Sequence, residues 1–174
     1  NSFAIGGQEF FIDHVCPNPS EEGMPDLIVE SITGPSSACI DEELEDSITL
    51  IIKNIGTSST VATGGYFNTD LVLSSNNVIG DADDILLQGG RDQVYDVLGP
   101  GDTHNVSLAG SNKIPTSTTP GTYYLGAIVD SVSSRVAESD ETNNTKYYYP
   151  VEIQDCGGQQ CIDFEDLSLT SVYN

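Results

Sequence analysis

Residues 120–130 read PGTYYLGAIVD. Pro120 presets the backbone for a turn and Gly121 completes it, so the chain reverses there. The aromatic and β-branched run that follows, 122–130, has no 3.6-residue period and predicts a strand. The same grammar repeats on both sides. DLIVESI (26–32) alternates Leu27 and Val29 with polar neighbours, and SITLIIKNI (47–55) alternates Ile48, Leu50 and Ile52. YFNTDLVLS (66–74), DILLQ (84–88), THNVSLA (103–109) and KYYYPVEI (146–153) complete the series. Each segment is short, bounded by Gly, Pro, Asn, Asp or Ser, and no helical pattern intervenes. About seven strands in this arrangement predict an all-β antiparallel β-sandwich.

The joints are readable too. LGPGDT (98–103) places Pro100-Gly101 between two strands, and Pro115 with Pro120 make 114–121 a poor interior strand. That segment is expected to cross the surface from one sheet to the other. ESDETNNT (138–145) predicts a polar bend, suited by Asn143 and Asn144, which can enter left-handed backbone and bond their own backbone, with Glu138, Asp140 and Glu141 solvated. Among the strand tyrosines, Tyr148 and one of Tyr123 and Tyr124 are expected to face outward.

A length of 174 residues suits one domain with small appendages. The expected division is a 1–24 extension, a 25–153 sandwich, and a 154–174 connector with a tail. Twenty-seven acidic residues face only Lys53, Lys113, Lys146, Arg91 and Arg135, for a formal charge of −22. Such a surface repels phosphate backbones and anionic membranes, which argues against nucleic-acid binding. No apolar run approaches the roughly 20 residues of a membrane span. The sequence begins at Asn1 with no signal peptide, so any targeting segment is expected to be removed or to lie outside it.

The tail EDLSLTSVYN (165–174) resembles PDLIVESITG (25–34), with Asp166-Leu167 matching Asp26-Leu27. A second copy of the first strand predicts either the start of a further repeat or a strand for pairing with a neighbour. The front segment carries Phe3, Ile5, Phe10, Phe11 and Ile12, also apolar.

The succession PDLIVESI, SITLIIKNIGTSS, YFNTDLVLS with an acidic turn and DILL, LGPGDT, IPTSTTPGTYYLGAIVDS and VAESDETNNT resembles a CARDB domain, the cell-adhesion-related module of bacteria, over about residues 25–153. Its most specific parts are 120–127, the bend at 138–144 and the Asn54-x-Gly56 turn. The resemblance implies an immunoglobulin-like fold, an extracellular or cell-surface setting, and no catalysis. It does not account for the four cysteines or the tail.

Cys16, Cys39, Cys156 and Cys161 suggest two disulfides and an oxidising compartment. Zinc is the rival, but Cys16 and Cys39 lack the spacing of a ligand pair. In an immunoglobulin-like sandwich the last strand ends near the first loop, which favours Cys39–Cys156 with Cys16–Cys161. Cys16–Cys39 with Cys156–Cys161 stays open.

Neither His14 nor His104 lies in a catalytic motif, and no phosphate loop is present. The sharper chemistry is in SSNNVIGDADDILL (74–87). Asn77, Asp81, Asp83 and Asp84, with Asp70 in the strand before, offer the hard oxygens that calcium takes. The offsets are not those of an EF-hand. Asp41, Glu42 and Glu43 of the first acidic loop are expected at the same end of the sandwich, where a cation would relieve their repulsion. Asn105 and Asn143 begin glycosylation sequons.

The function expected is a non-enzymatic extracellular adhesion or structural module, partnered by copies of itself or adjacent domains through β-strand addition of its terminal segments. The alternative is a carbohydrate- or peptide-binding accessory module.

Overall fold

β-Branched and apolar residues at alternating positions build two facing sheets. The computed structural model describes residues 23–44, 47–107 and 112–157. Its strands are β1 (Leu27–Thr33), β2 (Ser37–Cys39), β3 (Thr49–Asn54), β4 (Phe67–Ser74), β5 (Ile85–Val94), β6 (Thr103–Asn105), β7 (Gly121–Val129) and β8 (Thr145–Gln154). One sheet has the order β1-β3-β6, the other β2-β8-β7-β4-β5. Leu27, Leu50 and Ile52 from the first sheet meet Phe67, Leu73, Leu125 and Ile153 from the second, all essentially without exposure. Burying each such side chain contributes roughly 1.5–3 kcal/mol. The connection from β6 to β7 passes from the first sheet to the second, and within it Lys113 bridges Gln88 of β5 and Glu43.

Three ladders slip register, and each slip redirects side chains. In β1 the extra residue is Glu30, because Val29 pairs with Ile52 and Ser31 with Ile51. This bulge turns Ile32 inward after Leu27 and Val29, where strict alternation would expose it. In β8, Tyr147 faces Gly126 and Pro150 faces Tyr124, so Tyr148 and Tyr149 share one partner position. That slip corrects the expectation for Tyr148, which packs on the core while Tyr147 and Tyr149 are exposed; of Tyr123 and Tyr124, Tyr123 is buried and Tyr124 is the more exposed, as expected. In β5, residues 87–90 face the single position of Leu71, and the strand runs on to Val94, beyond the expected 84–88.

The sandwich is not wholly antiparallel. After β1, Gly34-Pro35 carries the chain across to the second sheet. There β2 pairs in parallel with the end of β8, Ala38 opposite Ile153 and Cys39 opposite Gln154. A three-residue strand followed by a turn has no periodicity to read, and the seven-strand expectation missed it. The ladder of THNVSLA is shorter than expected, ending at Asn105.

The polar bend also differs from expectation. Asn143 and Asn144 do not have positive φ; Asp41, Asp130, Ser133 and Ser134 do among described non-glycine residues. Glu138 is not solvated but 6% exposed. Its carboxylate accepts hydrogen bonds from Leu27 N and from Asn144 Nδ2, the latter at 2.9 Å. Ser139 N donates to Pro25 O at 2.9 Å, and Ser139 Oγ and Asn143 Nδ2 donate to Asp26 at 2.9 and 2.8 Å. Asn54, fully buried, completes the anchorage. Its Oδ1 accepts from Asp26 N and Gly56 N, and its Nδ2 donates to Ser58 O and Leu98 O.

The start of β1 is thus fastened to the bend that precedes β8. β8 then runs away from that bend and ends beside β2 and Gly121. The chain enters the sandwich at one pole and leaves it at the other, roughly 30 Å away for a ten-residue strand. At the second pole Cys39 and Cys156 form a disulfide with 5.5 Å between their Cα atoms. That bond rules out Cys16–Cys39 with Cys156–Cys161; the Cys16–Cys161 pairing and the strand-like tail lie outside the described residues.

Candidate metal centre and neighbouring cleft

The acidic turn between β4 and β5 is shaped by its own amides. Asn76 Oδ1 accepts from Val78 N at 2.6 Å, which folds the chain back. Asn76 Nδ2 then reaches Asp83 Oδ1 at 3.0 Å and Asp81 Oδ2 at 3.3 Å. Ser75 N donates to Asp83 Oδ2 at 3.0 Å, and Gly80 N, at a φ of 100° that favours glycine, donates to Asp84 Oδ2 at 2.6 Å. The result gathers Asp81, Asp83 and Asp84, with ligand oxygens within 4.8 Å of one another. A hydrogen bond shared with the Asp81 carboxyl, then bonds from Ser75, hold Asp83 below the usual carboxylate range. Asp84 Oδ1 is buried and has no hydrogen-bond partner.

Other residues expected at a metal stand elsewhere. Asp70 is buried on β4 and held in a bidentate pair by Arg91, Nε to Oδ1 at 2.7 Å and Nη2 to Oδ2 at 2.6 Å. That pair raises the Arg91 pKa further above its ordinary value. Asn77 lines the cleft described below rather than bonding the acids. Asn76 is the amide at the cluster; the Asn76-Asn77 doublet offered both, and only the turn geometry chooses. Asp41 and Glu43 lie 3.8 and 3.4 Å from Lys113 Nζ, while Glu42 accepts from Cys39 N. The acidic group found among the described residues comprises Asp81, Asp83 and Asp84 without them. Asn105 is exposed at the end of β6. Asn143 Nδ2, the atom a glycan would occupy, donates to Asp26.

The same loop is held down by an apolar contact. Ile79, 9% exposed, sits over Gly126, where any Cβ would overlap its side chain. Gly126 lies opposite Val72 and Tyr147 in the sheet. The loop, β1 and β8 together frame a cleft of about 750 Å³ lined by Ile32, Asn77, Val78, Ile79 and residues 145–149. Tyr147 meets Tyr124 edge-on at 5.4 Å, and Tyr149 is 76% exposed.

Two sheets, an immunoglobulin-like order of strands and a self-contained acidic turn define a β-sandwich module. Residues 24–147 match the CARDB family model, and the chain belongs to that family. No curated protein matches it in sequence. Among solved structures it is similar to a CARDB domain from Pyrococcus furiosus, solved in complex with di-metal ions. The identity is 23%, over 75% of this chain and 94% of that one, with a TM-score of 0.45. A domain named as part of a cell surface protein of Methanosarcina acetivorans matches at 23% identity, over 75% and 93%, with a TM-score of 0.47. A β-glucosidase from Listeria innocua matches at 17% identity, over 76% of this chain but 16% of that enzyme, with a TM-score of 0.34. Among the described residues no helix is long and apolar enough to cross a membrane.

Proposed function

We propose that this chain is a non-enzymatic, extracellular linking module, one unit of a tandem array or filament whose partners are copies of itself or adjacent domains. The observation that carries this reading is the opposite placement of the two ends of the sandwich. A module whose chain enters and leaves at distant poles transmits position along a string. The outer edge of β5 is bridged to Lys113 at Gln88, and the part of the strand beyond that bridge offers backbone groups to which a neighbour's terminal strand from 1–24 or 154–174 can add. Electron microscopy and light scattering of the purified chain test it. Strings, fibres or concentration-dependent growth are expected. A monomer at every concentration, with both terminal segments freely cleaved by protease, overturns the polymeric form.

The acidic turn supports a second component of the same reading, a calcium ion at Asp81, Asp83 and Asp84. Three carboxylates fall short of the six to eight oxygens calcium takes, so water and backbone carbonyls would complete the shell. Binding only to the folded state raises the melting temperature. Calcium is expected to raise it above the value in chelator and above sodium at matched ionic strength. Asp81→Asn with Asp83→Asn is expected to abolish the difference. No shift in the parent chain overturns this component.

The cleft favours a ligand-binding reading as the rival. Tyr147 and Tyr149 offer aromatic faces, with Asn77 and Thr145 as polar neighbours, which suits a carbohydrate or an extended peptide. Binding on a glycan array that is lost in Tyr147→Ala with Tyr149→Ala supports it, and silence removes the carbohydrate form.

A further inference from the structure

The two poles and the disulfide have a joint mechanical meaning. A pull on the ends of this module draws β1 toward the first pole and β8 toward the second. β1 and β3 are antiparallel and paired over their length, Leu27 with Asn54 through Thr33 with Thr49. β2 and β8 run parallel, and Ile40 N to Gln154 O at 2.9 Å and Glu152 N to Ser36 O at 3.0 Å extend their pairing. Both ladders lie along the pull, so their hydrogen bonds are loaded together rather than opened one at a time. Immediately behind the last of these bonds stands the bridge from Cys39 to Cys156, spanning 117 residues of sequence.

We propose that this domain bears tensile load and that Cys39–Cys156 is its extension stop. The covalent path through the molecule under tension is β1, β2, the two sulfurs, and then the chain beyond Cys156. Everything between the cysteines, including β3 through β8 and the acidic turn, hangs from that path as a closed loop and carries none of the pull once β1 and β2 have yielded. Without the bridge the same pull would draw out the whole sandwich. The sequence separation of 117 corresponds to roughly 400 Å of extended chain. The position of the bridge is what gives it this effect: a disulfide deep inside the sequence would shield only a fraction of the fold.

This inference rests on the linking role, but its test does not. A single full chain is pulled by its ends between two marker domains in a force spectrometer, with Cys16→Ser and Cys161→Ser leaving one possible bridge. Under oxidising conditions the rupture is expected to release only residues 23–39, whose roughly 60 Å of extended chain less the roughly 30 Å they already span leaves a gain of about 30 Å. In dithiothreitol the release is expected to grow by roughly 400 Å. If reduction prevents folding, the reduced chain extends fully without a rupture peak, and the difference in final length is the same. Equal lengths in the two conditions overturn the proposal. Whether neighbouring modules exist is decided by the imaging above, so a failure of the linking role and a failure of the stop give different results.

Discussion

Glu138 shows how one residue can read as ordinary and fold as something else. In sequence it is one acid among several in a polar bend. In the fold it is buried, and that burial pushes its pKa up from 4.5 to about 7, against the bonds from Leu27 and Asn144 that favour its charge; Glu141 and Asp130 nearby push it further up. The sign follows directly. Between about pH 4.5 and 7 the folded chain holds a proton that the unfolded chain has released, so stability falls as pH rises through that window. Glu138→Gln is expected to flatten this part of the profile. Parent and variant should diverge by at most roughly 3 kcal/mol between the two ends of the window, measured by urea titration at several pH values. Asp130, also raised by burial, contributes in the same direction. Its two bonds, from Arg135 N and Val136 N, oppose that shift and hold the turn after β7.

Strands and their turns were legible where composition is dense, and illegible where a single residue is inserted. TYYLGAIVD and TLIIKN declare themselves by β-branched and aromatic content. The bulges at Glu30 and at Tyr148–Tyr149 leave no composition signature, yet they decide that Ile32 and Tyr148 face inward. β2 is too short to carry a period and exists only because β8 has an open edge to receive it. The acidic turn was legible as Asp-x-Asp-Asp, but its shape comes from Asn76 and from a glycine far away in sequence. Gly126 in YYLGAIVD gives Ile79 its seat. Gly126→Ala is therefore expected to lift the β4–β5 loop from the sheet while leaving the core intact. It should retain the parent's near-complete set of slow-exchanging core amides, lose protection in residues 75–84, and weaken the calcium-dependent rise in melting temperature, all read by hydrogen exchange and thermal melts. A parent-like loop would show that the contact with Ile79 is dispensable.

At the scale of the molecule, charge and topology act together. Each of the five basic residues is committed to a structural contact. Lys53 pairs with Glu30 across β3 and β1, and Lys146 donates to Glu30 O. Arg91 holds Asp70, and Lys113 lies by Asp41 and Glu43. Arg135 sits 4.2 Å over the Tyr66 ring and donates to Thr63 O. The remaining acids have little positive charge to meet them, so self-repulsion opposes the compact state. Monovalent salt is expected to raise the melting temperature steadily between about 0.01 and 1 M, as the screening length shortens from about 30 to 3 Å. A flat response by scanning calorimetry would show that the acids are too dispersed to repel. Because the basic side chains are already used as internal fastenings, none is left to draw one unit's surface toward the next. A string of these domains, if they form one as proposed, would be a polyelectrolyte, its bending stiffness set by the ions around it: drawn straight in dilute water, slack in brine, and shortened wherever a divalent cation sits between two beads.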